Sequence, residues 1–171
     1  MMMRCLEAGG LVPSFTEVDL NVSSPPDYIP NPNGFYQFDG EVNSSFYETY
    51  NGKLIKLPIR RLLELPQGEY RLVLLKRNPA EIRASMARWT PHTSWGRDEV
   101  ITYFYDLYFD TLVAELSERS DISITILNYA DIVANPEQEF TKLLDAGWSF
   151  DLLSASALVD ESLYRLRLEQ T

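Results

Sequence analysis

The clearest apolar stretch of this chain, Leu72 to Leu75, is a short unbroken run that stops at the basic pair Lys76-Arg77. A run of that length suits a strand buried on both faces, not a surface strand with alternating polarity. Ile122 to Leu127 reads as a second strand, Lys53 to Leu57 as a third, and Val18 to Leu20 as a weak fourth. Helical signals lie between them. Asn78-Pro79 is a good N-cap followed by a proline in the first turn, so a helix opens there with Ser85 two turns in. Ile101, Phe104, Tyr105, Tyr108, Leu112 and Leu116 lie on one stripe of a long helix over about 97–119, a stripe read as core. Pro136 opens a helix that Gly147 stops, and Pro58 to Leu65 is a helix starting on its proline. Val42 to Tyr50 is a short helix closed by Asn51-Gly52, Met1 to Ala8 one stopped by Gly9-Gly10, and 151–168 two short terminal ones.

Strands alternating with helices predict an α/β domain: a mostly parallel, doubly wound sheet flanked by helices on both faces. A chain of 171 residues fits one domain, residues 1–171, and buries roughly 70% of its unfolded surface. Three clear strands are few for such a sheet. Residues 21–34, with Pro25, Pro26, Pro30, Pro32 and Gly34, read as an ordered loop. No apolar run approaches the ~18 residues of a membrane span. Cys5 is the single cysteine, which excludes an internal disulfide and a CxxC zinc site and makes the cytoplasm the default location.

The net charge of −10 disfavours nucleic acid as a partner. Yet residues 53–88 carry nine Lys or Arg against three acids, a local +6. A basic island in an acidic chain suits a small anionic ligand. Within it, Arg77 leaves a strand tip and Ser85 sits on the next helix, so both can face the crevice outside the strand's carboxyl end, where open α/β sheets bind ligands. A guanidinium meets two oxygens of a phosphate or sulfate at once. The same segment also reads as a surface arginine beside a helix cap.

Several segments together resemble a family of short bacterial sulfotransferase-like proteins with the P-loop nucleotide-binding fold. Met1-Met2-Met3-Arg4-Cys5-Leu6-Glu7-Ala8-Gly9-Gly10 resembles that family's first helix, and Asn31-Pro32-Asn33-Gly34-Phe35-Tyr36 its Asn-Pro-x-Gly-Tyr segment. Lys53 to Leu57 is placed like its second core strand. Arg77-Asn78-Pro79 with Ser85 resembles its 3′-phosphate motif. Asn128-Tyr129-Ala130-Asp131-Ile132-Val133-Ala134-Asn135-Pro136 resembles its Tyr-Glu-Asp-Leu-x-x-x-Pro segment, and Val159 to Arg165 its closing segment. The matches run in family order over nearly the whole chain. In the family a strand and a Pro-x-Ser-Gly-Thr-Ser loop precede the first helix, whereas here the chain begins inside it. The expectation is an amino-terminally incomplete P-loop-type fold, from a misassigned start, an incomplete gene or natural loss.

The resemblance implies sulfuryl transfer from the donor PAPS (3′-phosphoadenylyl sulfate) to a hydroxyl or amine acceptor, without a metal and with no membrane partner. It places Arg77 and Ser85 on the 3′-phosphate, Lys56 on the sulfuryl path, and Tyr129 and Asp131 at the crevice rim. Arg165 and, more weakly, Arg167 become closing contacts on the donor. The catalytic base is open: a proline, Pro58, stands where the small-molecule enzymes carry histidine, and His92, the only histidine, reads as a turn residue. Without the phosphate loop this chain is expected to be inactive and to self-associate through an exposed sheet edge. The rival reading is a non-catalytic remnant of the fold that binds an anion or another protein.

Overall fold

A computed structural model describes residues 1–15, 36–89 and 108–164. The two clearest expected strands form as β1 (Tyr70–Lys76) and β2 (Ile122–Asn128), paired in parallel from Tyr70 opposite Ile122 to Lys76 opposite Asn128. Around them lie helices α1 (Met2–Ala8), α2 (Phe46–Tyr50), α3 (Pro79–Trp89), α4 (Phe109–Ser117), α5 (Tyr129–Ala134), α6 (Pro136–Asp145) and α7 (Leu152–Ala157). Two 3₁₀ turns span Ile59–Glu64 and Glu161–Leu163. The architecture is mixed α/β with a two-stranded parallel sheet.

Successive side chains of a strand point to opposite faces, and both faces of this pair are covered. Leu72 and Leu74 of β1, with Ile122 and Ile124 of β2, pack against Phe109, Leu112 and Leu116 of α4, Phe46 of α2 and Leu62. Val73 and Leu127 face the other way, into a cluster with Cys5 and Leu6 of α1, Ile132 of α5, Phe140 and Leu143 of α6 and Ala155 of α7. This two-sided burial explains why the apolar run of β1 does not alternate in polarity.

Three expected elements come out differently. Among the described residues, Lys53 to Leu57 makes isolated parallel bridges, Leu54 with Pro13 and Lys56 with Gln37. Pro58 to Leu65 is a 3₁₀ turn, because Leu65 precedes Pro66 and is extended (ψ 124°), which cuts the segment short of a full α-helix. The helix expected from Val42 begins only at Phe46, because the Asn43 side chain takes the Ser45 N–H at 3.1 Å and the Ser45 hydroxyl at 2.8 Å in a local turn. The aromatic stripe is described from Tyr108 onward, where Leu112 and Leu116 are fully buried. Residues 97–107 of that helix, the weak strand at 18–20 and the loop at 21–34 lie outside the described residues. Of the terminal helices, α7 and the 3₁₀ turn at 161–163 are described. Among the described residues no helix is long and apolar enough to cross a membrane.

The register of the parallel pair is fixed at its amino end. Arg119 binds both oxygens of Asp121, Nε to Oδ1 at 3.0 Å and Nη2 to Oδ2 at 2.7 Å. The same guanidinium donates to the carbonyls of Leu65 (2.6 Å) and Pro66 (2.8 Å), and Asp121 Oδ2 accepts the Gly68 N–H at 2.9 Å. The segment leading into β1 is therefore strapped to the segment leading into β2. Gly68 has no alternative here, since a Cβ would run into the Tyr47 ring, which itself packs edge-on to Tyr70 with a centroid separation of 5.4 Å.

Two outcomes follow for stability. Gly68→Ala is expected to destabilise the fold by ~1–3 kcal/mol, the usual cost of forcing a methyl into packed surroundings, read as a lower urea midpoint with unchanged slope. The second concerns acid. The Arg119 hydrogen bonds and then the Gly68 amide hold the Asp121 carboxyl well below the usual carboxylate range. A carboxyl depressed by folding contributes stability that is complete above its unfolded value of ~3.9 and is lost as pH falls through the folded value. Asp121→Asn should therefore lower stability at pH 7 and flatten its decline below about pH 4, measured by chemical denaturation across pH.

Candidate functional site

Because Lys76 lies opposite Asn128, the next residue of each chain segment leaves the sheet beside the other. Those residues are Arg77 and Tyr129. The Arg77 guanidinium carbon lies 5.0 Å from the centroid of the Tyr129 ring and 5.3 Å from that of Tyr164, both cation–π distances. The two rings meet edge to face at 5.2 Å. Parallel register, a short helix after each strand and a closing turn thus converge at the carboxyl end of the sheet.

Each side chain is placed by local chemistry. The Asn78 side chain accepts the Ala80 N–H at 2.9 Å and its carbonyl accepts the N–H groups of Glu81 and Ile82, so α3 starts directly after Arg77. Asn128 does the same for α5, accepting the Ala130 N–H at 3.2 Å, which aims Tyr129 at the strand end. This helix has a legible signal, an asparagine cap with Asn135-Pro136 as its stop, although the sequence reading assigned it no element. Asp160 accepts the Ser162 N–H (2.9 Å) and hydroxyl (2.6 Å), forming the turn that presents Tyr164.

Glu81 joins these groups. Its Oε2 accepts from Arg77 Nε at 3.0 Å and its Oε1 from the Tyr164 hydroxyl at 2.8 Å. The Glu81 side chain is 3% exposed and that of Arg77 is 23% exposed. A carboxylate that buried is tolerated only because each oxygen has a strong donor. Glu81 and Tyr164 are the site residues that the sequence reading missed. The signal for Glu81 was its i,i+4 spacing from Arg77; nothing local in the sequence pairs Tyr164 with a residue 83 positions away.

Among the residues singled out from sequence, Arg77 and Tyr129 are brought together. Ser85 is half-buried on α3, one turn beyond Glu81, on the face that Arg77 and Glu81 share by spacing. Asp131 is exposed in the first turn of α5. Lys56 occupies a second neighbourhood: its carbonyl accepts the Phe38 N–H at 3.0 Å, and its ammonium, with Arg4, bears on the nitrogen of Met1 at the head of α1. Burial pushes the Lys56 ammonium below the ordinary lysine value. Nearby, Tyr36 donates to Glu7 Oε2 at 3.1 Å and holds a positive φ of 52°, unusual for so bulky a residue. Arg165, Arg167 and His92 lie outside the described residues. Among the described residues no group of three or more His, Cys, Asp or Glu side chains is placed to hold a metal ion.

No family model matches the chain, and no curated protein and no solved structure is significantly similar to it.

The cap at Asn128 gives a direct test of how Tyr129 is positioned. Asn128→Ala should cost ~0.5–2 kcal/mol, the usual value of an N-cap, in thermal or urea unfolding. Asn128→Asp, which keeps the acceptor, should retain most of it.

Proposed function

We propose that this domain binds an adenine nucleotide carrying a 3′-phosphate and is sulfotransferase-like, of the P-loop type whose complete enzymes move a sulfuryl group from PAPS to a hydroxyl or amine. One observation carries the reading: a guanidinium emerges at the carboxyl end of a parallel strand and is oriented by aromatic rings from the neighbouring strand's continuation and from a closing turn. In parallel α/β sheets this end is the ligand side. The ordered sequence motifs around Arg77, Lys56 and Tyr129 support the same assignment.

In this reading Arg77 and the Ser85 hydroxyl hold the 3′-phosphate, and Tyr129 keeps the guanidinium in plane. Lys56, with its half-buried ammonium, stabilises charge on the transferring sulfuryl group, as cations do in phosphoryl transfer. The acceptor oxygen or nitrogen forms a bond to sulfur as the bond from sulfur to the phosphate oxygen breaks. The acceptor gives up its proton, and 3′,5′-ADP departs. Arg165 closes over the donor.

Arg77→Ala should weaken binding of 3′,5′-ADP by ~1.5–3 kcal/mol, the scale of a charge-assisted hydrogen bond, with little effect on 5′-AMP, which has no 3′-phosphate. Isothermal titration with both nucleotides measures this, and equal losses for the two refute the site. Residues 1–171 alone are expected to transfer no label from radioactive PAPS to a pool of phenols, alcohols and amines, and label transfer by them overturns the placement of the site.

A further inference from the structure

Arg77, Glu81 and Ser85 follow one another at four-residue spacing, so Glu81 stands between the two residues that the proposed nucleotide site uses for the 3′-phosphate. A buried carboxylate already occupies that position. It is bound at both oxygens, to Arg77 at 3.0 Å and to Tyr164 at 2.8 Å. An incoming phosphate carries the same charge sign as Glu81 and seeks the same guanidinium. A phosphate placed on the other Arg77 donors brings a second negative charge beside a side chain only 3% exposed, where solvent screening is small, and so competes with Glu81 for the guanidinium.

We infer that Glu81 is an internal anion that gates the nucleotide site: binding of a 3′-phosphate displaces its carboxylate from Arg77 and thereby releases the turn that carries Tyr164. This inference rests on the nucleotide reading of Arg77. The mechanical link is short. Glu81 is the residue through which α3 holds Tyr164 by a hydrogen bond, and the Tyr164 ring in turn covers Arg77 at 5.3 Å. Exchange of one anion for another at Arg77 therefore loosens two of the contacts that seat residues 160–164. Linkage makes the effect reciprocal: whatever holds that turn in place opposes nucleotide binding, and the nucleotide opposes its seating.

Glu81 also explains how the Arg77 guanidinium is kept partly buried. The ion pair neutralises Arg77, and the Tyr164 hydroxyl satisfies the remaining carboxylate oxygen. Removing the negative charge while keeping the shape should leave the guanidinium more available to an external anion.

The experiment compares Glu81→Gln, Tyr164→Phe and Arg77→Ala with the native chain by isothermal titration with 3′,5′-ADP and 5′-AMP, and by hydrogen exchange of the 162–164 amides. Glu81→Gln is expected to tighten 3′,5′-ADP about 5- to 20-fold, within the usual range of coupling between sites, and Tyr164→Phe to act in the same direction by less. Saturating 3′,5′-ADP should speed exchange at 162–164 in the native chain, and Glu81→Gln should speed it without nucleotide. Unchanged or weaker binding by Glu81→Gln, while Arg77→Ala still weakens 3′,5′-ADP more than 5′-AMP, overturns the gate and leaves the site standing. Equal weakening of both nucleotides by Arg77→Ala overturns the site and the gate together. Exchange at 162–164 that is unaltered by Glu81→Gln overturns the link to the turn whatever the nucleotide result.

Discussion

The register of one parallel strand pair governs the rest of this structure. Arg119 and Asp121 set it at the amino end, where a single guanidinium bridges the approach to β1 and the approach to β2. Because side chains alternate along a strand, a slip of one residue would turn every inward side chain to the opposite face. Leu74 and Leu127 would exchange clusters, and α4 would face polar groups. The same register puts Arg77 beside Tyr129 at the other end. Core packing and site geometry thus share one constraint, applied some seven residues away from the chemistry it positions.

Charge is distributed on the same plan. The chain is acidic as a whole, yet three of its guanidinium groups are matched to named acceptors: Arg119 to Asp121 and two carbonyls, Arg77 to Glu81, Arg61 to Glu64 and the Gly40 carbonyl. The difference lies in exposure of the acid. Asp121 and Glu64 are partly or largely in solvent, where charge is well screened, whereas Glu81 is enclosed. An enclosed carboxylate controls its arginine far more strongly than an exposed one. That asymmetry singles out Arg77 among the arginines of the basic island.

Elements were legible where local signals and tertiary packing agree. β1, β2, α3 and α6 carry an apolar-rich stretch or a cap-and-stop pair, and each forms close to its expected bounds. Lys53 to Leu57 has the composition of a strand but, among the described residues, makes bridge contacts to 13 and 37, an outcome that depends on neighbours distant in sequence. The 58–65 segment was misread because the effect of Pro66 on Leu65 outweighs the helix-opening effect of Pro58. At the site, Arg77 and Tyr129 were visible because each directly follows a strand. Glu81 was counted only as one of three acids in a basic stretch, and Tyr164 only as part of a closing segment. Their roles arise from a contact across 83 positions that no periodicity encodes.

The strand pair also has a consequence for how the molecule assembles. Paired residues of β1 and β2, such as Tyr70 and Ile122, lie 52 positions apart, and the Arg119 strap to Leu65 spans 54. Contacts of such sequence separation form only after the loop-closure entropy has been overcome, so folding is slow relative to helical proteins of similar size. No fragment ending before β2 contains the Arg77–Tyr129 arrangement, because half of it has yet to be synthesised. A ribosome must therefore release most of the chain before the site exists in any form, and until then the apolar run of β1 is exposed to whatever else is nearby.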